Sequence, residues 1–294
     1  MRNLFILLAC LSLLTACAEK QTESEKQVKD QPKETATEKQ GEVVPKRKTF
    51  YPIASPEQMF EFISDNGIGY RKELINSAEN QQAYTESSKK ALNLGVYIAD
   101  LSYAAAYQDV ESTIELYRVV RALGSDLNID EIMNEKMMKQ VEDNLQNKDS
   151  LAMIAGRSYF RAVDYLEENE MQAKLALLSV GGWIEGLYIS INSIADFNTN
   201  SPTVQRIADQ KITFGNLYNY LKKQTGDAEV EQCLEDLEPI RTLFATLLEK
   251  KVESQNAQSE GRMRFGGGKK IVITEAQFNL LKEAVNAYRT NIVE

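Results

Sequence analysis

Leu175-Ala-Leu-Leu-Ser-Val-Gly-Gly-Trp-Ile-Glu-Gly-Leu-Tyr-Ile-Ser-Ile191 is the stretch that decides the fold. Its apolar residues, Leu175, Leu177, Leu178, Val180, Trp183, Ile184, Leu187, Ile189 and Ile191, leave no wet face on a helix running from roughly 170 to 196. A helix apolar all round belongs at the centre of a bundle or in a membrane. Lys174 and Glu185 argue against a membrane span. The stretch therefore predicts a core helix packed by neighbours on several sides, and the rest of the chain must supply them.

It does so with apolar residues recurring at intervals of three and four, the period of amphipathic helices. Ser55-Pro56-Glu57-Gln58 reads as a capping box with Pro at the first position, opening a helix that stops at Asn66-Gly67. Further helices are predicted over about 70–82, and over 86–107 with Leu92, Val96, Ala99 and Tyr103 on one face. Another carries Val110 to Val120 and ends by Gly124, and a fifth carries Met133, Met137, Val141 and Leu145. A sixth is capped by Asp149 or Ser150. Beyond the central helix, Ser201-Pro202 opens one that stops at Gly226, and Asp227 caps one that continues through Leu248 with a kink at Pro239. Thr274 with Gln277 caps the last, and Ile273 and Phe278 occupy staple positions. Strand signals are almost missing, since Ile271-Val272-Ile273 alternates too briefly to make a sheet. The expected fold is all-α: a multi-helix bundle or helical-hairpin array of about ten helices over residues 49–294, behind a disordered N-terminal tether.

The N-terminus has a different character. Met1-Arg2-Asn3 precedes an apolar run from Leu4 to Leu14 that closes on Leu14-Thr15-Ala16-Cys17. A short basic region, an apolar core and a small-residue cleavage site form an export signal. The run is too short to span a bilayer, which takes roughly 20 apolar residues, and Ala18-Glu19-Lys20 ends it. Cys10, after Leu8-Ala9, would leave an apolar region shorter still. Leu14-Thr15-Ala16-Cys17 resembles the lipobox of bacterial lipoproteins. That resemblance implies cleavage of residues 1–16, a diacylglyceryl thioether and further acylation on Cys17, and palmitate-type chains anchoring the protein in a membrane. In such families Ala18, not being aspartate, favours the outer membrane, with the periplasmic or surface face left open.

Residues 18–48 contain no Leu, Ile or aromatic residue. Such a segment cannot bury enough apolar surface to offset its ordering entropy, so it is expected to be a disordered tether. As a coil of about 30 residues it spans on the order of 30 Å. Its charges nearly cancel, and Lys46-Arg47-Lys48 reads as a solvated end.

Residues 49–294 carry 25 basic and 36 acidic side chains, a net charge near −11. A nucleic-acid partner would need a basic face, so none is expected. The chain contains no His, and Cys233 is the one cysteine after Cys17. Ser-His-Asp and Cys-His catalysis, the usual zinc sites and His-ligated haem are thereby excluded, and no cofactor or metal is expected. Cys233, on a helical pattern, reads as a buried inert thiol.

Three patterns remain. Gly261-Arg-Met-Arg-Phe-Gly-Gly-Gly-Lys-Lys270 imitates a phosphate loop, but a Walker loop needs Ser or Thr where Lys270 stands, plus a preceding strand. It reads as a mobile loop. Leu94-Gly95-Val96-Tyr97-Ile98-Ala99-Asp100-Leu101 matches Val180-Gly181-Gly182-Trp183-Ile184-Glu185-Gly186-Leu187 in placing Gly, aromatic, Ile and Leu at the same offsets. Either a degenerate repeat or a shared need for close helix crossing accounts for it, because Gly inside a helix costs up to about 1 kcal/mol relative to Ala. The stretch Leu94 to Tyr103 also resembles one found in uncharacterised all-helical lipoproteins of the Bacteroidetes, over about a third of the chain, around 90–190. That likeness implies a helical periplasmic or surface domain and no particular activity.

Asp100 and Glu185 are the two carboxylates within the most apolar helical stretches. Each must be paired, hydrogen-bonded or protonated there, with Arg118, Arg157, Arg161 and tyrosine hydroxyls as available partners. They form either a structural polar network or a ligand pocket lined by Tyr97, Tyr103 and Trp183. The expected function is accordingly a membrane-anchored envelope lipoprotein with a non-catalytic helical domain that binds a protein, peptide or small molecule. The alternative is a carboxylate-dependent enzyme such as a glycoside hydrolase, whose two acids would face one cleft roughly 5 to 9.5 Å apart.

Overall fold

The structure, a computed structural model, describes residues 56–129, 135–144, 147–251 and 269–294, all within a compact unit spanning Thr49–Glu294. The segments expected to be an export signal and a tether, Cys17, Ser55 of the first capping box and the glycines of the 261–268 stretch lie outside the described residues, as do Met133 and Leu145 of the expected fifth helix.

The described residues form ten α-helices and one short hairpin. In chain order these are α1 (Pro56–Asp65), α2 (Ser87–Ala106), α3 (Val110–Asp126), α4 (Glu135–Asp143), α5 (Lys148–Glu168), α6 (Gln172–Asn192), α7 (Pro202–Lys222), α8 (Ala228–Asp236), α9 (Glu238–Thr246), β1 (Leu248–Lys251), β2 (Lys269–Val272) and α10 (Glu275–Val293). The fold is an all-α bundle. α6 sits at its centre, touching α1, α2, α5, α7, α8 and α10. It is long and apolar enough to cross a membrane by length and composition, but 89% of that window is buried against the rest of the protein. Its buried Ser179 and Ser190 donate to the carbonyls of Leu175 and Gly186 in the same helix, so the core receives no unsatisfied hydroxyl from them.

The closest packing is between α2 and α6. A Cβ built on Gly95 would lie 2.0 Å from the Leu178 carbonyl oxygen, and one on Gly181 would lie 1.8 Å from that of Leu92. These are the matched glycines of the two similar octapeptides, and each admits the backbone of the other helix. A close crossing is thus sufficient to explain why both segments place Gly at that offset. Gly186 has nothing within 4 Å of the corresponding position. Gly181→Ala is therefore expected to cost about 3 kcal/mol by forcing two backbones apart, whereas Gly186→Ala should gain up to about 1 kcal/mol from helix propensity. Urea denaturation of the two variants checks the contrast; equal effects would mean that α2 and α6 do not touch at Gly181.

Several expectations are corrected. The helix expected over 70–82 is two 3₁₀ turns, Lys72–Leu74 and Ala78–Ala83, separated by extended backbone at Ile75. Local polar groups compete with a continuous helix here: the Ser77 hydroxyl accepts from Glu79 N, the Asn76 amide goes to Asp100, and the Ser77 carbonyl takes the Tyr97 hydroxyl. α5 is capped by Asn147, which accepts from Ser150 N, instead of by Asp149 or Ser150. The helix containing Pro239 divides into α8 and α9, since proline has no N–H to continue the ladder.

Leu248 is not the last residue of that helix; it opens β1 and is 68% exposed. β1 pairs antiparallel with β2, so Ile271 and Val272 do enter a strand, with Lys250 opposite Lys270 and Lys251 opposite Lys269. Like charges in register weaken a hairpin, but lysines along the exposed β1 discourage pairing with another chain. Thr274 and Gln277 form the expected capping box on α10, with Ile273 and Phe278 buried at the staple positions.

Candidate functional site

Asp100 projects from α2 and Glu185 from α6, and both are 0% exposed. Their shared partner is Arg289 of α10. The Arg289 guanidinium grips Glu185 with Nε to Oε2 at 3.0 Å and Nη2 to Oε1 at 3.1 Å, and it rests on the Tyr188 ring 4.6 Å from its centroid. None of the arginines expected from sequence fills this place, for Arg118, Arg157 and Arg161 are all exposed. A signal for Arg289 does exist: it stands four residues after Val285 and three before Ile292, both buried on the α10 face that meets the core.

Asp100 Oδ2 accepts the Asn76 backbone N–H at 3.1 Å. Its Oδ1 has no conventional donor, but the carboxyl lies in hydrogen-bonding reach of Glu185. Two carboxylates can share a hydrogen bond only if one carries a proton. Burial, reinforced by the neighbouring negative charge of Glu185, raises the Asp100 carboxyl well above its ordinary value near 3.8. Burial also raises Glu185, but the charge of Arg289 and its two hydrogen bonds oppose this. Asp100, which has no such cationic hydrogen-bond partner, is thus the more strongly raised of the two acids.

The three aromatic candidates lie in separate environments. Tyr97, fully buried, donates to the Ser77 carbonyl at 2.6 Å beside Tyr84. Tyr103 accepts from Arg71 N and packs among Phe60, Tyr70 and Tyr107. Trp183 is 7% exposed, donates Nε1–H to Gln210 at 3.1 Å, and packs on Phe214 and Phe244. Of the three rings Tyr97 lies near Asp100, while Tyr103 and Trp183 pack elsewhere, so the three do not line one pocket around the acids.

A cavity of about 10 Å³ among α2, α3, α4 and α5, lined by Leu101, Thr113, Tyr117 and Val141, has space for roughly one water. Among the described residues no three His, Cys, Asp or Glu side chains converge as a metal site. The Cys233 thiol is buried, its pKa pushed up to about 11 by that burial, and it lies 3.2 Å from the Tyr288 hydroxyl. It has the character of an inert core residue. Comparison of the chain with protein-family models, with curated proteins and with solved structures gives no match.

Proposed function

We propose that the protein is a cell-envelope lipoprotein, anchored through lipid on Cys17, whose helical domain is a non-catalytic binding or scaffold body. The observation that carries the non-catalytic reading is the sealing of Asp100 and Glu185. The two acids best placed by sequence for acid–base work are spent on holding α2, α6 and α10 together. A glycoside hydrolase built on this pair would need an open cleft between them, and both have no exposed surface. The anchor rests on the lipobox, and its role is to keep the domain within tether range of a membrane, where it would meet a protein, peptide or small-molecule partner. Nucleic acid is a poor candidate, given the acidic charge.

In cells grown with a palmitate analogue, the wild-type protein is expected to be labelled and to fractionate with membranes, whereas Cys17→Ser is expected to do neither. Equal labelling of the two proteins would sink the anchor reading. Two or three acyl chains make this difference large, because each buried CH₂ adds roughly 0.8 kcal/mol of membrane affinity.

A further inference from the structure

We infer that Asp100, Glu185 and Arg289 form a proton-operated latch on the C-terminal helix, closed when Asp100 is a neutral acid and loosened when it ionises. Two routes lead from Asp100 to α10. One runs through Glu185 to the Arg289 guanidinium. The other runs through Asn76, whose backbone N–H meets Asp100 Oδ2 and whose side chain donates to the Tyr84 hydroxyl; that hydroxyl in turn donates to the carbonyl of Val293 at 3.1 Å. Asn93 of α2 adds a bond to the Ile292 carbonyl, and Asn192 of α6 one to Asn286. The second half of α10 is thus held by several polar contacts, two of which trace back to Asp100.

The chemistry gives the direction. When hydroxide removes the Asp100 proton, the hydrogen bond to Glu185 becomes a contact between two buried anions served by a single guanidinium. The other titratable groups facing Asp100 are the phenols of Tyr84 and Tyr97 from the 72–84 segment and α2, and of Tyr188 from α6, all raised by burial. They supply no positive charge, and α10 contributes only Arg289. An acid whose pKa folding has raised contributes its stability fully below its ordinary value near 3.8 and loses it as pH rises through the folded value. The latch therefore weakens as pH rises from the ordinary carboxyl range toward the folded value, and no further above it.

The test uses the full chain. Infrared spectra taken just above the ordinary carboxyl range are expected to show one protonated buried carboxyl, missing in Asp100→Asn and missing also in Glu185→Gln, where the lone remaining carboxylate pairs with Arg289. Hydrogen exchange, corrected for intrinsic rates, is expected to show α10 losing protection relative to α7 as pH rises from the ordinary carboxyl value near 3.8 toward the folded value of Asp100. Within that window the loss should approach tenfold per pH unit, the slope for one proton; it should level off above the folded value and be missing in Asp100→Asn. Either a wild type without the carboxyl signal or an Asp100→Asn protein with the same pH-dependent loss in α10 overturns the latch.

Discussion

Replacing Arg289 by Met is expected to destabilise the protein by about 3–5 kcal/mol, the range for removing one partner of a buried ion pair. The loss comes mainly from what remains. Glu185 keeps its carboxylate on the fully buried face of α6, without the two guanidinium hydrogen bonds at 3.0 and 3.1 Å that compensate its desolvation. The guanidinium's stacking on Tyr188 disappears as well, a term of about 0.5 to 2 kcal/mol depending on its desolvation. Adding Glu185→Gln removes the stranded charge, so the double variant is expected to be more stable than Arg289→Met alone. Urea denaturation of the four proteins closes the cycle. Should the two changes simply add, Arg289 and Glu185 would not be coupled, and the network would have no energetic centre.

The bundle was legible because its strongest signals are local and redundant. α6 announces itself by having no polar stripe, and Thr274 with Gln277 marks the start of α10 by a reciprocal pair of side-chain bonds. Asp227 caps α8 after Gly226, whose φ of +110° suits glycine. What could not be read depends on contacts between distant segments. The apolar period continues from Phe244 to Leu248, yet the backbone turns extended at Leu247, where the Lys211 ammonium from α7 captures the Leu247 carbonyl at 2.6 Å. The pairing of β1 with β2 joins residues about 20 apart, beyond any local pattern. The 70–82 segment likewise looks helical until Asp100 and Tyr97 of α2 claim its backbone groups.

The site was half legible for the same reason. Asp100 and Glu185 stood out as charges in apolar surroundings, which guarantees a partner without naming it. Arg289 lies 104 residues from Glu185, and only the tertiary fold selects it over the nearer arginines. The aromatic rings carried less information than the acids, because Tyr and Trp at helical spacing serve a core as readily as a pocket. Tyr97, Tyr103 and Trp183 each meet a different wall of the bundle.

Trp183→Ala is expected to cost about 3–5 kcal/mol, the usual range for removing a large buried aromatic, against a total stability of roughly 5–15 kcal/mol. Trp183 stands near the middle of α6 on the side away from Glu185, with its ring centroid 5.1 Å from that of Phe214 and 6.2 Å from that of Phe244. Truncation would leave those rings without a neighbour and Gln210 Oε1 without the indole donor. Trp183→Phe separates the two losses, since it keeps most of the apolar fill and removes only the hydrogen bond. That variant should lose about 1–3 kcal/mol, the cost of leaving a buried polar atom unpaired. The pair of variants also distinguishes core from surface. A loss below about 1 kcal/mol for Trp183→Ala in chemical denaturation would place the indole at an open face, and α6 would no longer be the element on which α7, α8 and α9 close.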